Sequence, residues 1–262
     1  KKSIAPPEVP SAESIPIQQQ HVLFTLKQCD DQVRCMVDVT PPSQLLTDFT
    51  LTDAVEHPTL ISARLPLAAN NDGGLATCTD ISMNCRRLLC QLLDFITSLR
   101  PVADFDMSEK ACIAKQTAPP FILYSILQYS IQHNAPNHCL FLPLGQTISR
   151  DLPLLEVEQE DCKSHVVAEM RVNTVKHALM DQVNRQAKEL NLNDVEQATV
   201  KALIVLEANY DLPDIRNTFL SAARASIMEA LQHYLTSRFN KNEAIVRFGN
   251  IMLLLSSIQR YA

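Results

Sequence analysis

The side chains able to do chemistry in this 262-residue chain are scattered, not gathered into a motif. Nucleophilic catalysis needs a Cys or Ser beside a base and an oxyanion site, and the adjacent pair His138-Cys139 has no further His or Asn context. With only four glycines, the chain contains no Gly-x-Ser-x-Gly, phosphate loop or dinucleotide fingerprint. His177 and Asp181 stand one helical turn apart, close enough to share a metal, but without a third ligand a surface pair is the plainer reading. Eight cysteines (29, 35, 78, 85, 90, 112, 139 and 162) include no Cys-x-x-Cys, so no zinc site is expected. Free buried thiols of a reducing compartment are favoured over a disulfide framework. The acidic run Glu156, Glu158, Glu160 and Asp161 reads as a solvated loop. These residues point away from an enzyme, and neither metal nor cofactor is expected.

Composition sets the elements that must position anything else. The chain is 46% hydrophobic, 20% charged and 5% aromatic, enough apolar mass for a sizeable core, and the scarcity of Gly with no Trp favours helices over an all-β sandwich. A net charge of −6 lacks the basic stripe that phosphate contacts need, so no direct nucleic-acid binding is expected of this segment. The longest apolar candidate, Ile251 to Leu255, is followed by two serines, far short of the ~18 residues a membrane span requires. Lys1-Lys2-Ser3 leads into prolines instead of the apolar run of a signal peptide.

Three regions follow. Residues 1–20, with Pro6, Pro7, Pro10 and Pro16, read as a disordered linker or hinge. Residues 21–79 read as an N-terminal extension. In it, the alternation Val22, Phe24, Leu26 and Val33, Cys35, Val37, Val39 around Gln28 to Asp31 predicts a hairpin, and Pro41-Pro42-Ser43 can start a helix near Leu45. Residues 80–262 read as the helical body. Ile81, Cys85, Leu88, Leu92, Phe95 and Leu99 recur at helical steps, and Asp106 with Glu109 has the spacing of a capping box. Pro119-Pro120 predicts a break before an apolar helix from Phe121 to Ser130. His138 to Leu144 reads as extended. A long helix is striped by Ala168, Val172, Val175, Leu179, Val183 and Ala187 and ends near Glu189. Asn193 and Glu196 cap the next helix, Pro213 opens the helix through Leu220, Ile227 and Tyr234, and the last helix starts near Lys241.

Several of these stretches resemble the ligand-binding domain of nuclear receptors over about Asp80 to Ala262. Leu88-Leu89-Cys90-Gln91-Leu92-Leu93-Asp94-Phe95-Ile96-Thr97-Ser98-Leu99 is similar to the family's third helix, with Phe95 where Trp is common and Thr97 where Lys is usual. Phe105, Glu109 and Lys110 follow the signature that continues it. Leu127-Gln128-Tyr129-Ser130 resembles the end of helix five in the COUP and tailless receptors, Glu196 to Leu206 resembles the eighth helix, and Arg247-Phe248-Gly249 with Leu253-Leu254-Leu255 resembles the tenth. The branch holding the retinoid X receptor, hepatocyte nuclear factors, COUP and tailless is the nearest.

The resemblance implies an all-α, three-layer antiparallel helical sandwich with a small β-hairpin, lacking the family's final helices within this chain. It implies the regulatory and dimerisation domain of a nuclear transcription factor whose zinc-finger DNA-binding domain lies outside this chain. Cys85, Leu88, Leu92, Ile122, Leu123, Ile126 and Tyr129 would line the pocket. Tyr129 takes the place where retinoid-binding relatives put a carboxylate-pairing Arg, so an orphan member with a pocket filled by side chains is favoured over one taking a lipophilic ligand. Thr97 cannot supply the cation that clamps a coactivator helix, which leaves Lys115 on that coregulator groove and favours corepressor peptides. Gly249, Met252, Leu253, Ser256 and Gln259 would form the interface of a homodimer or of a heterodimer with another nuclear receptor. The competing readings are a ligand-activated receptor domain and an unrelated all-α scaffold.

Overall fold

Side chains that fold back on their own helix starts set the frame. The computed structural model describes residues 14–38, 48–152, 176–207 and 211–262, with side chains from residue 21 onward. Its helices are α1 (Ser14–Cys35), α2 (Leu51–Glu56), α3 (Cys78–Ser98), α4 (Met107–Gln132), α5 (Arg185–Leu190), α6 (Asp194–Val205), α7 (Asp214–Thr236) and α8 (Lys241–Tyr261). Full capping boxes open α2, α3, α4 and α6 through Thr50/Asp53, Thr77/Asp80, Asp106/Glu109 and Asn193/Glu196. Each such cap satisfies amides that the helix leaves unpaired and is worth about 1 kcal/mol.

The helices form three layers. α1 and α3 lie on one side, α1 packing on α6 and α7 and α3 on α4; α4, α6 and α7 make the middle; α5 and α8 cover the other side, α8 touching α4, α5 and α7. An antiparallel pair of strands, β1 (Cys139–Phe141) and β2 (Thr147–Ser149), sets Leu140 opposite Ile148 and completes the architecture. Their turn holds Gly145 at φ +103, and Gly73 lies so near that an added Cβ would sit 2.9 Å from the Gly145 carbonyl oxygen. Both positions therefore require glycine.

The hairpin expected over 21–39 is instead helix as far as Cys35, the C-terminal part of α1, with 36–38 outside any helix or strand and 39 outside the described residues; helix already covers 14–20 of the segment read as a linker. Residues 1–13 lie outside the described residues. Leu23, Leu26, Asp30 and Val33 are buried at steps of three, four and three, whereas Val22 and Phe24, which made the alternation look β-like, are the exposed ones. Burial against α6 and α7 overrides the local pattern. The small sheet lies at 139–149, within and beyond the segment read as extended.

Pro119 and Pro120 do not break α4. They remove the amides that would bond the carbonyls of Lys115 and Gln116, but they sit on its outer side, Pro119 exposed and Pro120 half-buried. Ile113 and Ala114 before them and Phe121 and Tyr124 after them are buried in one core, and each large one contributes about 1.5–3 kcal/mol, enough to hold the helix through the gap. The helix expected near Leu45, the Ala168 to Val175 part of the long stripe, the acidic run 156–161 and Cys162 lie outside the described residues. The rest of that stripe enters α5 through a π-helical turn, Leu179–Asn184, and α5 closes on Asn191 in the left-handed conformation at φ 42.

Candidate functional site

The residues expected to line a pocket come from the middle of α3 and the second half of α4. Leu88, Leu92, Ile126 and Tyr129 are buried; Cys85, Ile122 and Leu123 are half-buried. Leu88 and Tyr129 share a cavity with Arg34, Gln91, Ser125, Gln128 and Lys201 whose volume is about 10 Å³. That is the size of one water, not of a lipid. The Tyr129 hydroxyl donates to the Ala68 carbonyl at 2.5 Å and its ring lies 4.0 Å from that of His133, so the phenol is engaged within the protein. Burial pushes the Cys85 thiol above its ordinary pKa, which favours the neutral form.

Thr97 and Lys115 occupy different settings. Thr97 lies half-buried in the last turn of α3, its hydroxyl donating back to the carbonyls of Leu93 and Asp94 at 3.0 Å each, whereas Lys115 is exposed on α4. The signature stretch between these helices has a structural task. Phe105 packs on Phe219 of α7, the Arg216 guanidinium lies 4.4 Å over the Phe105 ring and bonds Glu109 at 2.8 Å, and the buried Lys110 donates to the Ala103 carbonyl. The loop after α3 is thereby fastened to α7.

On α8, Ile251, Leu254, Leu255 and Ile258 face the core. The expected interface residues divide: Gly249, Leu253 and Ser256 are exposed, while Met252 and Gln259 are half-buried and Met252 packs on the core. Leu253 at 60%, Val246 at 61% and Ile245 at 54% exposure extend that face toward the start of the helix.

Sequence reasoning missed the charges inside the molecule. Arg64 bonds Asp94 through two nitrogens at 2.7 and 2.8 Å and also reaches Asp38; Lys201 bonds Asp30 at 2.7 Å; Arg247 grips Glu196 at 2.6 and 2.7 Å. These pairs tie α1, α3, α6, α8 and the segment before α3 together. A signal existed for Asp30, which falls in step with Leu23, Leu26 and Val33 once α1 is read as a helix. Nothing comparable marks Asn184, fully buried on the π-helical turn with both amide atoms lacking a hydrogen-bond partner. His177 and Asp181 both turn to Arg150, the ring to its carbonyl at 3.1 Å and the carboxylate to its guanidinium at 2.7 Å. Among the described residues no group of three or more His, Cys, Asp or Glu could hold a metal, no disulfide forms, and no helix is long and apolar enough to cross a membrane.

The described residues thus form a helical frame with an exposed apolar face on α8. Residues 74–262 match the family model described as the ligand-binding domain of nuclear hormone receptor. The chain is also 32% identical over 245 residues to "Nuclear hormone receptor family member nhr-3" of Caenorhabditis elegans, an alignment covering 93% of this chain and 52% of that relative. It therefore spans about half the length of the curated relative it matches. The helical order, the small sheet and both similarities agree, and the chain belongs to the nuclear hormone receptor family, a family of transcription factors, as its ligand-binding domain.

Proposed function

We propose that this domain is the dimerisation and regulatory module of a nuclear transcription factor, with no enzymatic activity, and that it pairs through α8 with a second copy or with another nuclear receptor. The observation that carries this reading is the exposed apolar face of Ile245, Val246 and Leu253 around Gly249. Glycine inside a helix costs about 1 kcal/mol relative to alanine, and a Cβ there would meet nothing within 4 Å in this chain. A partner helix lying close at Gly249 gives the residue a purpose. Because Met252 also packs on the core, Leu253→Glu is the cleaner test: sedimentation should show loss of self-association, or of pairing with a retinoid X-type receptor, while the circular dichroism of the domain is kept. Unchanged assembly places the interface elsewhere.

The pocket reading follows from the 10 Å³ cavity at Leu88 and Tyr129 and from the engaged Tyr129 hydroxyl: the domain acts as an orphan receptor whose core is filled by its own side chains. Native mass spectrometry of purified protein should find no stoichiometric ligand. A lipid at one per chain favours the second reading, a domain activated by a lipophilic ligand.

For coregulators, Thr97 presents no cation to the last carbonyls of a coactivator helix, and its hydroxyl is turned inward. Corepressor peptides are the preferred partners. Fluorescence anisotropy with Leu-x-x-Leu-Leu and corepressor peptides tests this, with Thr97→Lys expected to raise coactivator affinity. The zinc-finger DNA-binding domain, the nuclear location and the branch of the retinoid X, hepatocyte nuclear factor, COUP and tailless receptors complete the proposal.

A further inference from the structure

Buried hydroxyls on the helices of this protein follow one habit, and Ser125 departs from it. Thr117 donates to the Ile113 carbonyl at 2.8 Å, Ser130 to Ile126 at 2.7 Å and Thr199 to Val195 at 2.7 Å, each one turn back along its own helix. Ser125 is also buried and has the carbonyl of Phe121 one turn back on the same helix, yet its Oγ makes no hydrogen bond to any protein group. A hydroxyl hidden from solvent is stable in such a state only if something beside it takes the bond.

The space beside it is a small cavity of about 10 Å³ between α1, α3, α4 and α6, lined by Ser125, Arg34, Gln91, Gln128, Gln132 and Lys201 with apolar groups such as Leu88 beside them. A dry cavity is characteristically apolar, whereas polar and apolar groups share this lining; its size is near the threshold of about 10–15 Å³ for one water and too small for two or for an organic ligand. Lys201 has three N–H donors and gives one to Asp30. The amide nitrogens of Gln128 and Gln132 both go to Gln197, so the polar groups around the cavity already belong to a connected seam.

We propose that this cavity is a built site for a single water molecule, held by the Ser125 hydroxyl and shared with the polar side chains of the surrounding helices. The water completes a path from Asp30 of α1 through Lys201 of α6 to Ser125 of α4. It gives the polar end of the core a fixed occupant of its own, separate from any ligand or dimer partner.

Oxygen-17 relaxation dispersion on the full chain counts internal waters that stay for long times, and a crystal structure with resolved waters locates them. The expected result is one density peak about 3 Å from Ser125 Oγ and from a second lining atom, and one fewer long-lived water in Ser125→Ala. A dry cavity with Ser125 Oγ rotated onto the Phe121 carbonyl overturns the proposal, as does an unchanged count in Ser125→Ala. Should that variant fail to fold, the wild-type density decides alone. None of these readings depends on how the domain dimerises.

Discussion

Asp30 and Lys201, 171 positions apart in sequence, meet at 2.7 Å with both side chains almost wholly inside the protein. The contact joins α1 to α6, with the Lys201 ammonium also 5.6 Å from the Phe121 ring centre. Burial pulls the lysine below its ordinary pKa even though the Asp30 charge opposes the shift. Breaking such a pair strands one charge in the interior, so Lys201→Met should cost about 3–5 kcal/mol in urea unfolding. Asp30→Leu combined with Lys201→Met should recover most of that loss. If the double variant is as unstable as the single one, the pair is not what destabilises the single.

Arg247 offers a graded test of the same idea. Its two bonds to the fully buried Glu196 hold α8 against the start of α6, and Glu196 also accepts the Asn193 amide at 2.9 Å. Arg247→Lys keeps the charge but cannot reproduce the parallel bonds, and a loss of about 1 kcal/mol is expected. Arg247→Ala should cost several times more because Glu196 is left buried with one partner. Equal effects from the two variants would contradict a bidentate role.

Asn184 predicts the opposite sign. Leucine has the same branched skeleton as asparagine, and both amide atoms of Asn184 are buried without a partner. Asn184→Leu should therefore raise stability by about 1–3 kcal/mol, read as a higher denaturation midpoint. A lower midpoint would mean that the amide is satisfied after all.

Alkaline stability should depend on Cys29. Burial first, and then the neighbouring Asp30 charge, push its thiol up from 9.0 to about 11. An unfolded chain loses this proton near pH 9 while the folded one holds it, so the stabilisation is complete below pH 9 and is lost as pH rises toward about 11. Over that window the change amounts to about 2–3 kcal/mol. Cys29→Ala lowers stability at every pH but should flatten the slope between pH 9 and 11. The same slope in both proteins would assign the alkaline transition to another group.

What the sequence determined by itself was local. Capping residues such as Asp106 with Glu109 and Asn193 with Glu196 act within one turn, and the stripe from Ile81 to Leu99 needs only the helical period, so α3, α6 and the starts of α4 and α8 were legible along the chain. The stretches around Leu88 to Leu99 and Glu196 to Leu206 carried the family resemblance for the same reason. Tertiary structure decided what depends on neighbours in space. α1 is a helix because α6 and α7 bury Leu23, Leu26 and Val33, and α4 runs through Pro119 and Pro120 because the core holds it on both sides. Asp30 finds Lys201 and Glu196 finds Arg247 across separations that no local pattern encodes. The volume left beside Ser125 is likewise a difference between the packing of four helices, a quantity that exists only once they have come together.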